Sequence, residues 1–341
     1  MIMKLHRMSG LTLVELMVSM AIGLALTAAV SAVYLNTSVA RNDLERVTQT
    51  TDNARFAMDM LTEDLRHAGF YGPFIPSNNA VYNRANPCTT AWDSLGWNLG
   101  VSPQQMPAAV EGLDDPTVLP SGWDCLPDAL PGSDVVTLRR VVETTQLPAS
   151  ITTSNVPYVQ ASQCTTDAVP VVYSVNSSDF TLRDLVCDNP AITPVPVRQY
   201  ITRTYYVATC NVCTPTSDGV TTLKRLEMRD GALTLQALAE GVVSLQMQYG
   251  FDTNNDGNVD QYQLTLNGTA GDPGNDWSNV MAVRVSMLMQ STGGRVSGPS
   301  VTRTYDLGPG HNAMTCADGR RCVLASSTVR LTNLASRREQ P

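Results

Sequence analysis

The hydrophobic pattern changes character twice along the chain. Residues 11–35 are apolar apart from Glu15 and a few Ser, Thr and Gly. A helical run of that length spans a bilayer, which takes about 20 residues. Beyond it, apolar or small residues recur at Leu44, Val47, Thr51, Ala54, Met58, Leu61, Leu65 and Ala68. The steps alternate between three and four, which places these residues on one helical stripe. Arg41, Asp43, Glu45, Gln49, Asp52 and Asp59 lie between them. The first proline is Pro73, and Gly23 is the single glycine within residues 11–68. The pattern predicts one helix over residues 11–68, with Gly69 as its C-cap and Gly72-Pro73 ending it. At about 1.5 Å per residue, it reaches roughly 85 Å. Its first half suits lipid or a filament core, and its second half suits packing on a globular body. The plain alternative is a dimeric coiled coil, although Thr51 and two alanines make weak knobs.

From residue 135 onward, strand-like runs alternate with turn residues. Residues 135–138 lead into 141–142, and further runs cover 169–175, 200–208, 221–228, 242–249, 262–266, 280–289, 301–307 and 323–331. Helical periodicity is weak there, so the fold class is α+β: one long helix, then a mostly antiparallel sheet. Residues 73–134 are rich in Pro, Asn, Gly and Trp, without clear period. They read as a long ordered loop region. Trp92, Trp97 and Trp123 serve there as core plugs or, alternatively, as an exposed binding surface.

Composition narrows the function classes. The 341 residues carry 23 basic and 31 acidic side chains, and 43% are hydrophobic. That apolar share excludes an acidic disordered chain. The acidic balance argues against a nucleic-acid footprint. The three histidines are His6, His67 and His311, too few for an active site built on a histidine cluster. No GxSxG, HExxH or phosphate loop occurs, so no enzyme is expected.

The N-terminus has two ordinary readings. One is a secretory signal cut after Val30-Ser31-Ala32, which would release a soluble, calcium-binding adhesin. The other is an uncleaved anchor. Glu15 troubles both, because a carboxylate deep in hydrocarbon costs about 2.5–3.5 kcal/mol on insertion scales. A third reading accounts for it. Gly10-Leu11-Thr12-Leu13-Val14-Glu15 resembles the prepilin peptidase site of type IV pilins and type II secretion pseudopilins. The resemblance implies cleavage after Gly10 and N-methylation of Leu11, where most pilins have phenylalanine. It implies that Thr12 and Glu15 serve assembly, Glu15 pairing with the ammonium of a neighbouring subunit. A buried carboxylate needs such a partner. Taking Lys4 and Arg7 away with the leader leaves 21 of the 23 basic side chains against 31 acidic ones.

Further segments resemble PilW-type minor pilins in particular: Phe70-Tyr71-Gly72, and residues 134–140, 243–260, 281–289 and 320–331. The resemblance implies a type IV pilin-like fold. Its parts are a leader at 1–10, a transmembrane or filament-core half-helix at 11–35, an amphipathic half at 36–68 and a β-rich periplasmic or extracellular body at 69–341. It implies a place in the inner membrane and then in the surface filament, where the subunit primes pilus assembly, with a tip position expected. The implied partners are prepilin peptidase, other minor pilins, the major pilin and a tip adhesin. A GspJ-type minor pseudopilin shares much of this layout and is the close rival.

Eight cysteines allow 105 connectivities. Neighbour pairing is expected: Cys88 with Cys125, Cys164 with Cys187, Cys210 with Cys213, and Cys316 with Cys322. Cys210-Asn211-Val212-Cys213 is a CxxC, which could also be redox-active or bind zinc. It precedes turn residues rather than a helix, which favours a structural bond. Asp252, Asn254, Asp256, Asn258 and Asp260 place oxygen ligands at alternate positions, with Gly257 sixth, a spacing that suits Ca2+. The twelfth position is Gln263 rather than glutamate, and a metal-free Asx-rich turn is the alternative.

Overall fold

The computed structural model describes residues 12–77, 80–152, 155–187, 195–266, 276–292, 302–316 and 319–336. Helix α1 runs Leu13–His67 without a break. It begins at Thr12, the N-cap, and ends where Ala68 N–H bonds Leu65 O at 3.2 Å. Gly69 follows with φ +75°, and a Cβ there would lie 2.5 Å from Leu334 Cδ1. The helix therefore stops where glycine is needed for both conformation and space.

Short strands β1 (Val81–Asn83), β2 (Gln105–Pro107) and β3 (Val110–Leu113) come next. They are followed by β4 (Val135–Val141), β5 (Tyr158–Ala161), β6 (Val171–Ser174) and β7 (Arg198–Ala208). Then come β8 (Thr222–Arg229), β9 (Ala232–Glu240), β10 (Val242–Phe251) and β11 (Gln261–Gln263). The chain continues through β12 (Val280–Gln290), β13 (Thr304–Tyr305), β14 (Met314–Thr315), β15 (Cys322–Arg330) and a one-turn helix α2 (Thr332–Ala335).

These strands build two main sheets rather than the single sheet expected. One has seven strands, with β3-β4-β7 running on through β8 to β9 and the β5–β6 hairpin joined at the start of β7. The other has four, in the order β11-β10-β12-β15, all antiparallel. Period-two patterning fixes which face of a strand is buried, not which strand lies beside it, so the split is invisible locally. The expected loop region holds β1–β3, and its β1–β2 pair is parallel. The expected run at 301–307 narrows to Thr304–Tyr305, and residue 301 lies outside the described residues. The run at 262–266 shortens to β11. Strands β5, β9 and β14 have no counterpart among the expected runs.

The second half of α1 lies over both sheets. Ala54, Ala57, Met58, Leu61 and Leu65 share one core cluster with Val136, Tyr205, Leu245, Met247, Val285 and Met287. A free coiled coil is therefore ruled out for residues 54–68, whose apolar face is already covered by the chain's own body. Leu44, the first stripe position, is 68% exposed, so the covering begins one to two turns later than the stripe does. A second cluster sits under the loop region, where Trp97 stacks on Tyr173 at 5.0 Å between centroids and meets Tyr71 edge-on at 5.2 Å. Trp97 and Trp123 are core plugs, whereas Trp92 is half-buried.

Candidate functional site

The first half of α1 has no packing partner among the described residues. Its most apolar 18-residue window has a mean hydropathy of 2.1 and is 0% buried. Leu13, Leu24 and Tyr34 each expose more than two thirds of their surface. Its hydroxyls are turned back onto the helix. Ser19 donates to Leu16 O at 3.0 Å, Thr27 to Gly23 O at 3.0 Å, Ser31 to Thr27 O at 2.7 Å and Thr37 to Val33 O at 2.8 Å. Polar atoms satisfied within the helix are what an apolar surrounding requires.

Glu15 and Thr12 close the start of this half-helix as a capping box. Thr12 N–H and Thr12 Oγ1 each donate to Glu15 Oε2 at 2.9 Å, and Glu15 N–H donates back to Thr12 Oγ1 at 3.3 Å. In the single chain Glu15 thus satisfies an orphan amide that any helix start leaves open. Gly10 and Leu11 lie outside the described residues.

A buried ionic cluster ties the other half of α1 to the seven-stranded sheet. Asp64, 4% exposed, accepts from Arg203 Nη1 at 2.6 Å and Arg140 Nη2 at 3.4 Å, and also from the Tyr205 hydroxyl. Arg225 Nη1 lies 3.9 Å away. Glu227 completes the set, accepting from Arg203 Nη2 at 2.9 Å and lying 3.5 Å from Arg225. Burial opposes the charge on Arg203, but Asp64 and Glu227 outweigh it and raise its pKa. Burial likewise pushes the Tyr205 hydroxyl up, so it stays protonated and donates. Three guanidinium groups and two carboxylates fix the angle and register of α1 on the sheet. Sequence reasoning missed this cluster. Asp64 sits three residues after Leu61, on the flank of the stripe, and its partners come from β4, β7 and β8.

The 252–260 loop is brought together around Asp252, which is fully buried. Its Oδ1 accepts N–H bonds from Asn254, Asn255 and Asp256 at 3.2, 2.6 and 3.3 Å, and its Oδ2 accepts from Gly257 at 2.9 Å. Asp260 Oδ2 accepts from Thr253 N–H at 2.7 Å and Asn254 N–H at 3.2 Å, and these bonds hold its carboxyl below the usual range. Asp256 Oδ1 accepts from Asn258 N–H at 2.8 Å. Gly257 at φ +82° permits the wrap.

The eight cysteines are bonded as Cys88–Cys125, Cys164–Cys187, Cys210–Cys213 and Cys316–Cys322. The CxxC lies in a bend after β7, closed by Asp218, which accepts N–H bonds from Asn211 at 3.0 Å and Val212 at 2.9 Å. Its surroundings are a turn, not the helix N-terminus that a low-pKa redox thiol uses.

Residues 204–333 match the family model of type IV pilus-assembly protein W, and residues 5–31 match the prokaryotic N-terminal methylation motif. The first match covers β8 to β15 and the C-terminal part of β7. The second covers the capping box and the apolar run as far as residue 31. No curated protein and no solved structure matches the chain. The two matches support a PilW-type minor pilin.

Proposed function

We propose that the chain, as a PilW-type minor pilin, primes type IV pilus assembly together with other minor pilins, at the tip of the filament. The observation that carries this reading is the division of α1: an unbroken helix whose second half is locked onto the body and whose apolar first half is fully exposed. Such a half-helix needs lipid or other half-helices around it. Membrane anchoring followed by transfer into a filament supplies one and then the other, without refolding the body. Prepilin peptidase would cut after Gly10 and leave a methylated ammonium at Leu11. Glu15 would then exchange its bonds with Thr12 for the ammonium of a neighbouring subunit. The body would face the periplasm before assembly and the exterior afterwards, meeting other minor pilins, the major pilin and a tip adhesin. No catalytic step is assigned to it.

Mass spectrometry of the N-terminal peptide from membranes and sheared filaments tests the premise. A methylated Leu11 is expected, whereas a terminus at Val33 or an intact Met1 would remove the pilin reading. Glu15→Ala is expected to be cleaved normally and to restore few pili in a strain lacking the wild-type protein. Full piliation by that variant would refute the role of Glu15. A GspJ-type pseudopilin role differs in partners, so co-purification with secretion components instead of pilus subunits would favour it.

For the 252–260 loop we propose Ca2+ as a stiffening ligand. Three aspartates in nine residues supply carboxylate oxygens of the kind Ca2+ takes. A calcium-dependent rise in Tm that Asp252→Asn abolishes is the expected result. An unchanged Tm would assign the loop to its hydrogen bonds alone.

A further inference from the structure

We propose that Asp114, Asp115 and His311 form a site for a divalent transition-metal ion, best suited to Zn2+, that pins residues 302–316 to the body. Asp114 and Asp115 follow β3, and His311 stands in the Gly308-Pro309-Gly310-His311 turn between β13 and β14. Nearly two hundred residues separate them in the chain, yet one ligand atom from each lies within 4.8 Å of the other two.

The orientation of each group is set from behind. His311 Nε2 lies 3.3 Å from Met247 O. A carbonyl only accepts, so Nε2 carries a proton, and in the neutral tautomer that this bond fixes Nδ1 offers its lone pair. That Nδ1 is buried and makes no hydrogen bond, and the same is true of Asp114 Oδ1. Two buried acceptors without donors call for a shared electron-pair acceptor, and a metal ion is one. Gln246, only 4% exposed, donates from Nε2 to Asp115 Oδ1 at 2.8 Å, and its own Oε1 is buried without a partner. Asp115 is held at φ +41° while its N–H donates to Asp134 Oδ1 at 2.9 Å. Gln248 donates to Pro309 O and so steadies the histidine turn. Partners of this kind orient metal ligands in built sites.

The donor set selects the ion. One imidazole nitrogen and two carboxylates suit Zn2+, with water completing four-coordination. Ca2+ takes six to eight oxygens and is poorly served here. Ligands about 2.1 Å from a tetrahedral ion lie about 3.4 Å apart, so separations of up to 4.8 Å close by a shift of at most about 1.4 Å in the partly exposed His311 turn. The metal-free rival is an imidazolium–carboxylate pair, which would need a proton on the unpartnered Nδ1.

The test uses the untagged full-length chain in detergent, stripped with a chelator and equilibrated with Zn2+ in excess Ca2+. Titration calorimetry and elemental analysis after gel filtration read the binding. One Zn2+ per chain is expected. His311→Ala and Asp114→Asn should each weaken binding at least about tenfold, and Asp252→Asn should leave it unchanged. No uptake, or wild-type affinity in both site variants, overturns the proposal. So does loss of zinc in Asp252→Asn alone. Thermal melts in chelator check that the variants fold. Should Asp114→Asn fail that check, His311→Ala decides alone. The readout is independent of assembly, so this site and the pilin reading fail separately.

Discussion

Asp64 is the residue on which the attachment of α1 turns. A charge this buried is tolerable only because Arg203, Arg140 and the Tyr205 hydroxyl take up its oxygens. Removing it leaves guanidinium groups buried with too little opposing charge, and breaking a buried pair in this way costs about 3–5 kcal/mol. Asp64→Ala is therefore expected to lower the unfolding free energy by about that amount in denaturant melts. Asp59→Ala, at an exposed position on the same helix, should change it by less than about 0.5 kcal/mol. A small effect at Asp64 would show that apolar packing alone seats the helix. The contrast also marks what a single sequence conveys at this scale. Glu15 is legible because a carboxylate in an apolar run is anomalous wherever it points. Asp64 sits in a polar-rich stretch beside Glu63, and only the partners that folding brings from three strands distinguish it. Asp114 and His311 are hidden for the same reason, since neither has a ligand neighbour at short helical or hairpin spacing.

At the scale of elements, α1 was the most legible part of the chain. The absence of proline before Pro73, the three-four stripe and Gly69 mark a helix whose observed bounds, Leu13–His67, differ from the expected 11–68 by one or two residues. Strand β9 was not legible. Its sequence, ALTLQALAE, consists largely of good helix formers and is exposed at most positions. It becomes a strand because Leu223–Arg229 offers it a paired edge. The pairing of the sheets was hidden too, since it depends on contacts far apart in sequence. Division of labour along α1 gives a direct prediction. Leu61 is fully buried between helix and sheets, so Leu61→Ala should cost about 2–5 kcal/mol of stability. Leu44, 68% exposed, contributes little to the body's core. Leu44→Ser should leave the melt within about 0.5 kcal/mol of wild type while reducing the amount recovered in sheared filaments. Equal filament entry for Leu44→Ser would mean that this turn of the helix faces solvent in the assembly as well.

Over the whole molecule, the exposed apolar half-helix and the body draw their stability from different sources. Every buried residue of α1 falls at Thr50 or later, and the core cluster begins at Ala54. The described contacts of the two sheets, the aromatic cluster around Trp97 and the four disulfides all lie beyond that point. The first half-helix, by contrast, meets none of the described residues of the body, and its apolar surface is long enough to span a bilayer. A chain beginning at Asn42 removes that surface and keeps the turns preceding Thr50. In an oxidising compartment this truncated protein is expected to be soluble without detergent. It should also melt within a few degrees of the full-length protein, because the fully buried residues of α1 all fall at Thr50 or later and are kept. It should fail to enter filaments even when exported, since it lacks both the half-helix and Glu15. A truncated chain that unfolds or aggregates would show that the body depends on the first half-helix. A truncated chain that still enters filaments would show that subunits are held by their bodies, and the reading of α1 as the assembly element would fall.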